Sequence, residues 1–184
     1  NGSQRRDEIK QLPFLGLMIP QYKSILFASD LSANAAYAFR HAVAVARAHQ
    51  AQITLLHVLP EVDAAVLNYV ATVLGEERLA EFELQHKEEL LAAMRQKLRD
   101  FIQQELADHP EDLPRIAGIE IHHGHPVHTI LEIADRINAD LIILGSHGKG
   151  RLKYALLGSV AEKVLRKSLR PVLVTPFLGE GSGK

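Results

Sequence analysis

The stretch that decides the fold is Asp140-Leu-Ile-Ile-Leu144 followed by Gly145-Ser-His-Gly148-Lys-Gly-Arg-Leu-Lys153-Tyr-Ala-Leu-Leu-Gly158-Ser159. Every residue from 141 to 144 is apolar, as is typical of a strand covered on both faces of a parallel sheet. Ser159 and Glu162 have the spacing of a capping box, so a helix is predicted to begin at Ser159 with that serine as its cap. The free amides and positive dipole end of such a helix make it a candidate site for an anion.

Short apolar runs and helical patterns alternate on both sides of this stretch. The runs that predict strands are 24–28, 53–58, 118–122, 140–144 and 171–175. The patterns that predict helices are 34–48, a stretch around 66–73, about 76–107, 126–137 and 159–168. This alternation predicts an α/β protein with a parallel sheet. No internal repeat is present, so we expect one domain over 18–177, with a tag or flexible arm at 1–17 and a flexible tail at 178–184.

Composition excludes several classes of function. The chain has 184 residues, a formal net charge of −1 and no cysteine. The near-neutral charge argues against binding along a nucleic-acid backbone, which requires a strongly basic surface. The lack of cysteine excludes a disulfide scaffold, a thiolate zinc site and a cysteine nucleophile, and it is compatible with a reducing cytoplasm. Because no apolar run is long enough to span a bilayer, we expect a cytoplasmic protein that inserts into no membrane.

The glycine-rich segment after the fourth predicted strand is the first candidate site. Glycines let a ligand approach the backbone closely, and three cations, Lys149, Arg151 and Lys153, lie on the same segment. The alternative is that Gly145 and Gly148 form only a turn and that Ser159 serves only as a helix cap. The glycines, the helix start and the cations agree with one another, so we favour a phosphate-binding segment.

The second candidate is Asp30, which follows the first predicted strand in Ala28-Ser29-Asp30-Leu31-Ser32. One interpretation is that Asp30 or Ser32 caps the next helix, as these residue types commonly do. The other depends on topology, because ligands of open α/β sheets bind at the carboxyl ends of strands where the strand order reverses. If strands one and four are neighbours, Asp30 and Gly145 flank one crevice. A carboxylate there could accept from a ribose hydroxyl or an adenine amino group, or help to hold a divalent metal.

Other familiar sites are absent from the sequence. There is no Walker loop and no G-x-G-x-x-G after the first strand. The four histidines at 122, 123, 125 and 128 lack the i, i+4 pairing of a helical metal site, and we predict no metal bound by protein side chains there. No Ser/His/Asp triad can be identified from the order of residues, so no catalytic residue is assigned.

The order of elements and the glycine motif resemble the universal stress protein family over nearly all of residues 20–177. The resemblance rests on Tyr22-Lys-Ser-Ile-Leu-Phe-Ala-Ser-Asp30-Leu-Ser32, Leu55-Leu-His-Val58, Gly124-x-Pro126, 139–148, Leu157-Gly-Ser-Val-Ala161 and Arg170-Pro-Val-Leu-Val-Thr175. The nucleotide-binding branch of that family carries G-x2-G-x9-G-[ST], and this pattern is filled by Gly145, Gly148, Gly158 and Ser159.

The resemblance implies a single open five-stranded parallel sheet of order 3-2-1-4-5, with helices on both faces. It also implies ATP, or another adenine nucleotide, with Mg²⁺ or Mn²⁺ at the phosphates. Asp30 would contact the adenine or ribose, Val58 would line the adenine pocket and offer its backbone, and Gly148 and Ser159 would help to hold the phosphates. Ala28 stands where the family often has proline. The complete set of candidate cofactor-binding residues is Ala28, Ser29, Asp30, Val58, Leu144, Gly145, His147, Gly148, Lys149, Arg151, Gly158, Ser159 and Val160.

Three functions follow as hypotheses. The first is a nucleotide-dependent regulatory protein of the stress response that works as a homodimer through the last strand, at Val172, Leu173, Val174 and Thr175. The second is a slow ATPase or a self-phosphorylating protein that uses the same site, with Ser159 or Ser146 as acceptor. The third is a structural dimer or chaperone-like module that uses the long helix at 76–107, part of the helical insert at 61–108, as its interface. The sequence names no partner protein.

Overall fold

The computed structural model describes residues 19–59, 71–73, 75–146 and 157–176. The strands are β1 (Ser24–Ala28), β2 (Gln52–Leu59), β3 (Ile116–His123), β4 (Leu141–Gly145) and β5 (Val172–Thr175). The helices are α1 (Ala33–His49), α2 (Glu76–Glu105), α3 (Pro126–Arg136) and α4 (Ser159–Lys167), with a 3-10 helix at Pro110–Arg115. All adjacent strands are parallel and their order is β3-β2-β1-β4-β5, which confirms the predicted sheet.

The sheet is covered on both faces because its strands alternate between two apolar clusters. On one face Ile25, Phe27 and Leu55 pack against α1 and the end of α2. On the other face Leu26, Leu56 and others pack against α3 and α4. Each fully buried side chain of this size stabilises the fold by about 1.5–3 kcal/mol relative to exposure, so the two clusters hold the sheet between its helices.

The fourth strand begins one residue later than predicted. Asp140 lies before β4, and its Oδ2 accepts hydrogen bonds from the backbone N–H groups of Lys23 at 2.7 Å and Ser24 at 2.9 Å. The carboxylate satisfies N–H groups at the start of β1. Register in the sheet then runs from Ile25 opposite Leu141 to Ala28 opposite Leu144, so β1 and β4 end side by side.

Helix α2 has 30 residues, and only its C-terminal part is packed in the core. Leu98 and Ile102 are buried, whereas most residues from 86 to 97 are exposed. The helix ends at Glu105, two residues before the predicted end. The helices of the described chain lack an apolar stretch of membrane-spanning length.

The 3-10 helix after α2 was not predicted from the sequence. Asp112 lies within it at 1% exposure, and its carboxylate accepts from Arg47 Nε at 2.7 Å and from Arg115 Nε at 3.0 Å. The hydrogen bond from Arg47 holds the pKa of Asp112 below its ordinary value, although burial of the carboxyl opposes the shift. This ion pair fastens the segment between α2 and β3 to helix α1.

Candidate functional site

The candidate site is a cleft of about 570 Å³ at the carboxyl ends of β1 and β4. These two strands are neighbours in the sheet, and β1 is followed by a crossover to one side while β4 is followed by a crossover to the other. The strand order therefore reverses at this point, which is where open α/β sheets bind ligands. Nine of the candidate residues line this one cleft: Ala28, Ser29, Asp30, Val58, Leu144, Gly145, Gly158, Ser159 and Val160.

Asp30 is held in place by one of its two carboxylate oxygens. Its Oδ1 accepts a hydrogen bond from the N–H of Ser32 at 3.0 Å. Its Oδ2 is buried and, among the described residues, has no hydrogen-bond partner. Leu31, which lies between Asp30 and Ser32, adopts a left-handed φ of 60°. This conformation costs a non-glycine residue of the order of 1 kcal/mol. The turn thus fixes a carboxylate with one acceptor oxygen left over at the edge of the cleft.

Ser32, not Asp30, is the cap of helix α1. Its hydroxyl accepts from the N–H of Ala35 at 3.2 Å. The two side chains therefore have different roles. The hydroxyl of Ser32 accepts from a free N–H of α1, and the carboxylate of Asp30 accepts from an N–H within the turn.

Ser29 holds the turn after β1 through three hydrogen bonds. The N–H of Ser29 donates to the carbonyl of Leu56 at 2.9 Å, and its hydroxyl accepts from the N–H of Leu31 at 3.1 Å. Its carbonyl oxygen lies 2.7 Å from Nδ1 of His57, a side chain that is only 6% exposed. A role for His57 is not evident from the sequence, because a histidine within an apolar strand carries no motif of its own.

Helix α4 begins at Ser159, as predicted, but the predicted capping box is wrong. The cap position is occupied by Gly158, and no side chain of the described residues caps this end of the helix. The N–H of Gly158 donates to the carbonyl of Ser146 at 2.6 Å, and this bond draws the chain into the helix one residue earlier than the Ser159–Glu162 spacing implies. Ser159 is therefore the first helical residue and is exposed.

An uncapped helix end facing the cleft is suited to an anion. The first N–H groups of a helix have no intrahelical acceptor, and they carry the positive end of the dipole. Here those groups belong to Ser159, Val160 and Ala161, all of which line the cleft. Glu162, one residue further, also lines it, and its carboxylate lies 3.6 Å from Arg166 Nη1 on the solvent side.

The remaining wall of the cleft is apolar and was largely missed from the sequence. Its members come from three elements and from the segment before α4, and they share no linear motif: Ala35, Leu56, Pro126, Ile130 and Leu157. The cleft thus combines an apolar wall, one spare carboxylate oxygen and a row of backbone donors. Such a set suits a ligand with a flat apolar ring, a hydrogen-bond donor and an anionic group.

Four candidate residues, His147, Gly148, Lys149 and Arg151, lie outside the described residues. Their place in the site stays a prediction, as does the role of every other candidate in binding a ligand.

None of the histidines at 122, 123, 125 and 128 lines the cleft, and His122 has protein partners. His122 Nε2 donates to Glu120 Oε2 at 2.7 Å, and Arg136 donates to the same oxygen at 2.8 Å. Burial raises the pKa of Glu120, but these two hydrogen bonds outweigh it and leave the pKa lowered. No three metal-ligating side chains come together in the part of the chain that the structure describes.

The sheet order and the cleft together define an open α/β protein with a crevice at the ends of β1 and β4. Comparison with known proteins gives its family. The family model of the universal stress protein family matches residues 21–176, so the chain belongs to that family.

Relatives and solved structures agree. The chain is 35% identical over 161 residues to universal stress protein MJ0577 of Methanocaldococcus jannaschii, covering 85% of this chain and 96% of that one. It is 30% identical over 154 residues to universal stress protein YxiE of Bacillus subtilis, covering 83% of this chain and 98% of that one.

The solved structure of MJ0577 superposes with a TM-score of 0.67 over 86% of this chain and 99% of that chain, at 34% identity. That of UspA from Lactobacillus plantarum gives 0.61 at 30% identity, covering 85% and 99%. A universal stress protein in complex with cAMP shares the fold, with a TM-score of 0.53, 21% identity and coverage of 85% and 98%.

Proposed function

We propose that the cleft binds an adenine nucleotide, ATP with a divalent ion in the first instance, and that the protein is a nucleotide-dependent regulatory module of the stress response. The observation that carries the proposal is the buried Oδ2 of Asp30, which has no partner among the described residues. A buried carboxylate oxygen without a hydrogen bond is costly, and a donor on a ligand would remove that cost. Ribose hydroxyls and the adenine amino group are such donors.

The apolar wall supports a base-binding role for the inner part of the cleft. Leu56, Val58 and Ile130 line this part, and they would contact the faces of a purine ring. A cleft of about 570 Å³ falls within the range of about 300–1,000 Å³ that is usual for small-molecule sites.

The uncapped N-terminus of α4 supports a phosphate role for the outer part. The N–H groups of Ser159 and Val160 would donate to phosphate oxygens, and the helix dipole would favour their negative charge. Gly145 and Gly158 line the same region, and the lack of a side chain there would let the phosphates approach the backbone. Gly148, Lys149 and Arg151 would complete this part of the site.

The cleft fits a divalent ion that is held mainly by the nucleotide. Among the described residues it carries two carboxylates, Asp30 and Glu162, on different elements. Mg²⁺ is commonly bound by one or two carboxylates together with substrate phosphates and water. Mg²⁺ or Mn²⁺ would neutralise phosphate charge, and Glu162 in the first turn of α4 is the carboxylate nearest in sequence to the proposed phosphate donors.

A regulatory role requires that the nucleotide bind two states of the protein differently, because a ligand shifts an equilibrium only by its differential affinity. We propose that this difference is transmitted to a partner protein in the cytoplasm. A slow ATPase or self-phosphorylating activity at the same site is the alternative.

We further propose a homodimer through β5. The carbonyls of Pro171 and Thr175 accept from the N–H groups of Ile142 at 3.0 Å and Ser146 at 2.8 Å. The backbone groups of Val172 and Val174 therefore point to the open edge. An edge strand with free backbone groups pairs readily with a second strand. Val174→Pro removes one outward N–H and is expected to give a monomer in analytical ultracentrifugation, whereas Val174→Thr keeps the N–H and the dimer. A dimer that persists in the proline variant would contradict this arrangement.

The test of the nucleotide site is calorimetric titration of the full chain with ATP and Mg²⁺. Wild type is expected to bind, and Asp30→Asn is expected to bind about 10–100-fold more weakly, the equivalent of one hydrogen bond to a charged group. Asp108→Asn, at an exposed position after α2, is the matched control and should bind like wild type. No binding at millimolar ATP would refute the proposal.

Incubation with labelled ATP separates the regulatory role from the ATPase role. Retention of intact ATP supports regulation, and continuous phosphate release supports hydrolysis.

A further inference from the structure

We propose that His57 is a positioning residue that keeps the backbone of Val58 open to the cleft. His57 lies on the face of the sheet opposite the cleft and would not touch a ligand. Its proposed effect on nucleotide affinity rests on the proposed function, but its effect on the backbone does not.

The backbone groups of β2 point alternately to its two neighbouring strands, β1 and β3. Alternate residues of a strand direct their N–H and C=O to the same neighbouring strand. Gln52 donates to the carbonyl of Lys23, and Leu56 accepts from Ser29, so the even-numbered residues of β2 face β1. Val58 is the next of this set, and its N–H and C=O therefore face the end of β1.

In a regular parallel ladder, both the N–H and the C=O of Val58 would form hydrogen bonds with the chain after β1. The N–H of Ser29 donates to Leu56, and in a regular ladder the next bond would run from the N–H of Val58 to the carbonyl of Ser29. Among the described residues that bond is not formed. The carbonyl of Ser29 instead lies 2.7 Å from Nδ1 of His57. The N–H of Leu31, which could have reached the carbonyl of Val58, donates to the hydroxyl of Ser29 at 3.1 Å.

The position and the burial of His57 allow its ring to hold the carbonyl of Ser29. The side chains of Ile53, Leu55 and His57 lie on the same face of β2, where the first two belong to the cluster packed against α1. The ring is 6% exposed and cannot turn away into water without leaving a buried carbonyl unpaired. A carbonyl oxygen only accepts, so Nδ1 carries the proton of this hydrogen bond.

The consequence is a donor and an acceptor on one residue at the wall of the cleft. Val58 lines the cleft, and its N–H and C=O lie on the side from which β1 has withdrawn. An adenine ring presents an acceptor, N1, beside a donor, the 6-amino group, so one strand residue with both groups free can pair with it. His57 would maintain this arrangement whether or not a nucleotide is bound.

The experiment compares His57→Leu, which has no donor, with His57→Asn, whose side-chain amide nitrogen is separated from the backbone by the same number of bonds as Nδ1. The first measurement is backbone hydrogen exchange at Val58 without nucleotide. Wild type and His57→Asn are expected to exchange this N–H at least about tenfold faster than His57→Leu, in which the carbonyl of Ser29 is released to accept from Val58. The second is ATP affinity, expected to fall about tenfold in His57→Leu and to be restored in His57→Asn.

Equal exchange at Val58 in wild type and a folded His57→Leu would overturn the proposal. If His57→Leu does not fold, wild type alone decides, because protection of Val58 equal to that of Leu56 in the absence of nucleotide would show that the ladder is closed. A wild-type protein that binds no ATP but shows the open Val58 would refute the proposed function and leave the role of His57 standing. A purely structural role for His57 would lower the thermal midpoint without changing exchange at Val58 relative to its neighbours, and this too would overturn the proposal.

Discussion

The carboxylate of Asp140 accepts a hydrogen bond from the backbone N–H of Ser24 at 2.9 Å, although 116 residues separate the two in sequence. In return, the N–H of Asp140 donates to the carbonyl of Ser24 at 2.7 Å. This reciprocal pair sets the register of β1 against β4 at the end of the sheet away from the cleft. Because register is kept along parallel strands, it also sets Ala28 opposite Leu144 at the cleft itself.

Replacing Asp140 should therefore destabilise the sheet. Asp140→Ala removes the acceptor of two backbone N–H groups, and we expect the free energy of unfolding to fall by about 2 kcal/mol. Urea denaturation at neutral pH measures this as a lower midpoint at unchanged slope. Asp108→Ala is the control, and an equal loss in both variants would contradict the assignment.

The ion pair of Asp112 predicts a pH dependence of stability. Its pKa is lowered in the folded protein, chiefly by the hydrogen bond from Arg47. The stabilisation is therefore fully present above the unfolded-state pKa of about 4, and it is lost as the pH falls through the lower folded-state pKa. Asp112→Asn should be less stable than wild type by about 2–3 kcal/mol at pH 7. The gap should narrow below about pH 4 in urea titrations at stepped pH, and a gap that stays constant down to pH 2 would show that the charge is not its source.

Two serines at helix starts should respond differently to the same substitution. Ser32 caps α1 through its hydroxyl, whereas Ser159 follows a glycine cap at α4. Ser32→Ala is expected to cost about 1 kcal/mol in the free energy of unfolding, and Ser159→Ala less than about 0.5 kcal/mol. Thermal unfolding without nucleotide measures both. A loss in Ser159→Ala as large as that in Ser32→Ala would restore the capping box that the structure rejects.

Gly148 tests the glycine motif. Gly148→Val places a β-branched side chain in the proposed phosphate segment, and we expect ATP affinity to fall at least about tenfold with little change in thermal midpoint. Gly118→Ala is the control, because a methyl group at that position of β3 would meet no atom within 4 Å. Unchanged affinity in Gly148→Val would remove this segment from the site.

Local patterns predicted the fold well because most of the strands are short apolar runs and most of the helices have one apolar face. The motif around Gly145 and Gly158 likewise pointed to the edge at which the cleft lies. What could not be predicted depends on contacts between distant residues. The bond between Gly158 and Ser146 moves a helix cap by one residue, and the contact of His57 with Ser29 ends a ladder. Neither of these two contacts can be predicted from the residues next to it in sequence.

The cleft draws one wall from the end of β1 and another from the start of α4. During synthesis, β1 and Asp30 leave the ribosome before α4, so a nascent chain that ends between them would lack the proposed phosphate donors. Occupancy would therefore begin only once β4 and α4 have joined the sheet, and a ligand at one hundred times its dissociation constant would then add about 2.7 kcal/mol to the completed domain. If the cleft binds a nucleotide as proposed, nucleotide retained by the purified protein would therefore report that β4 and α4 have joined the sheet.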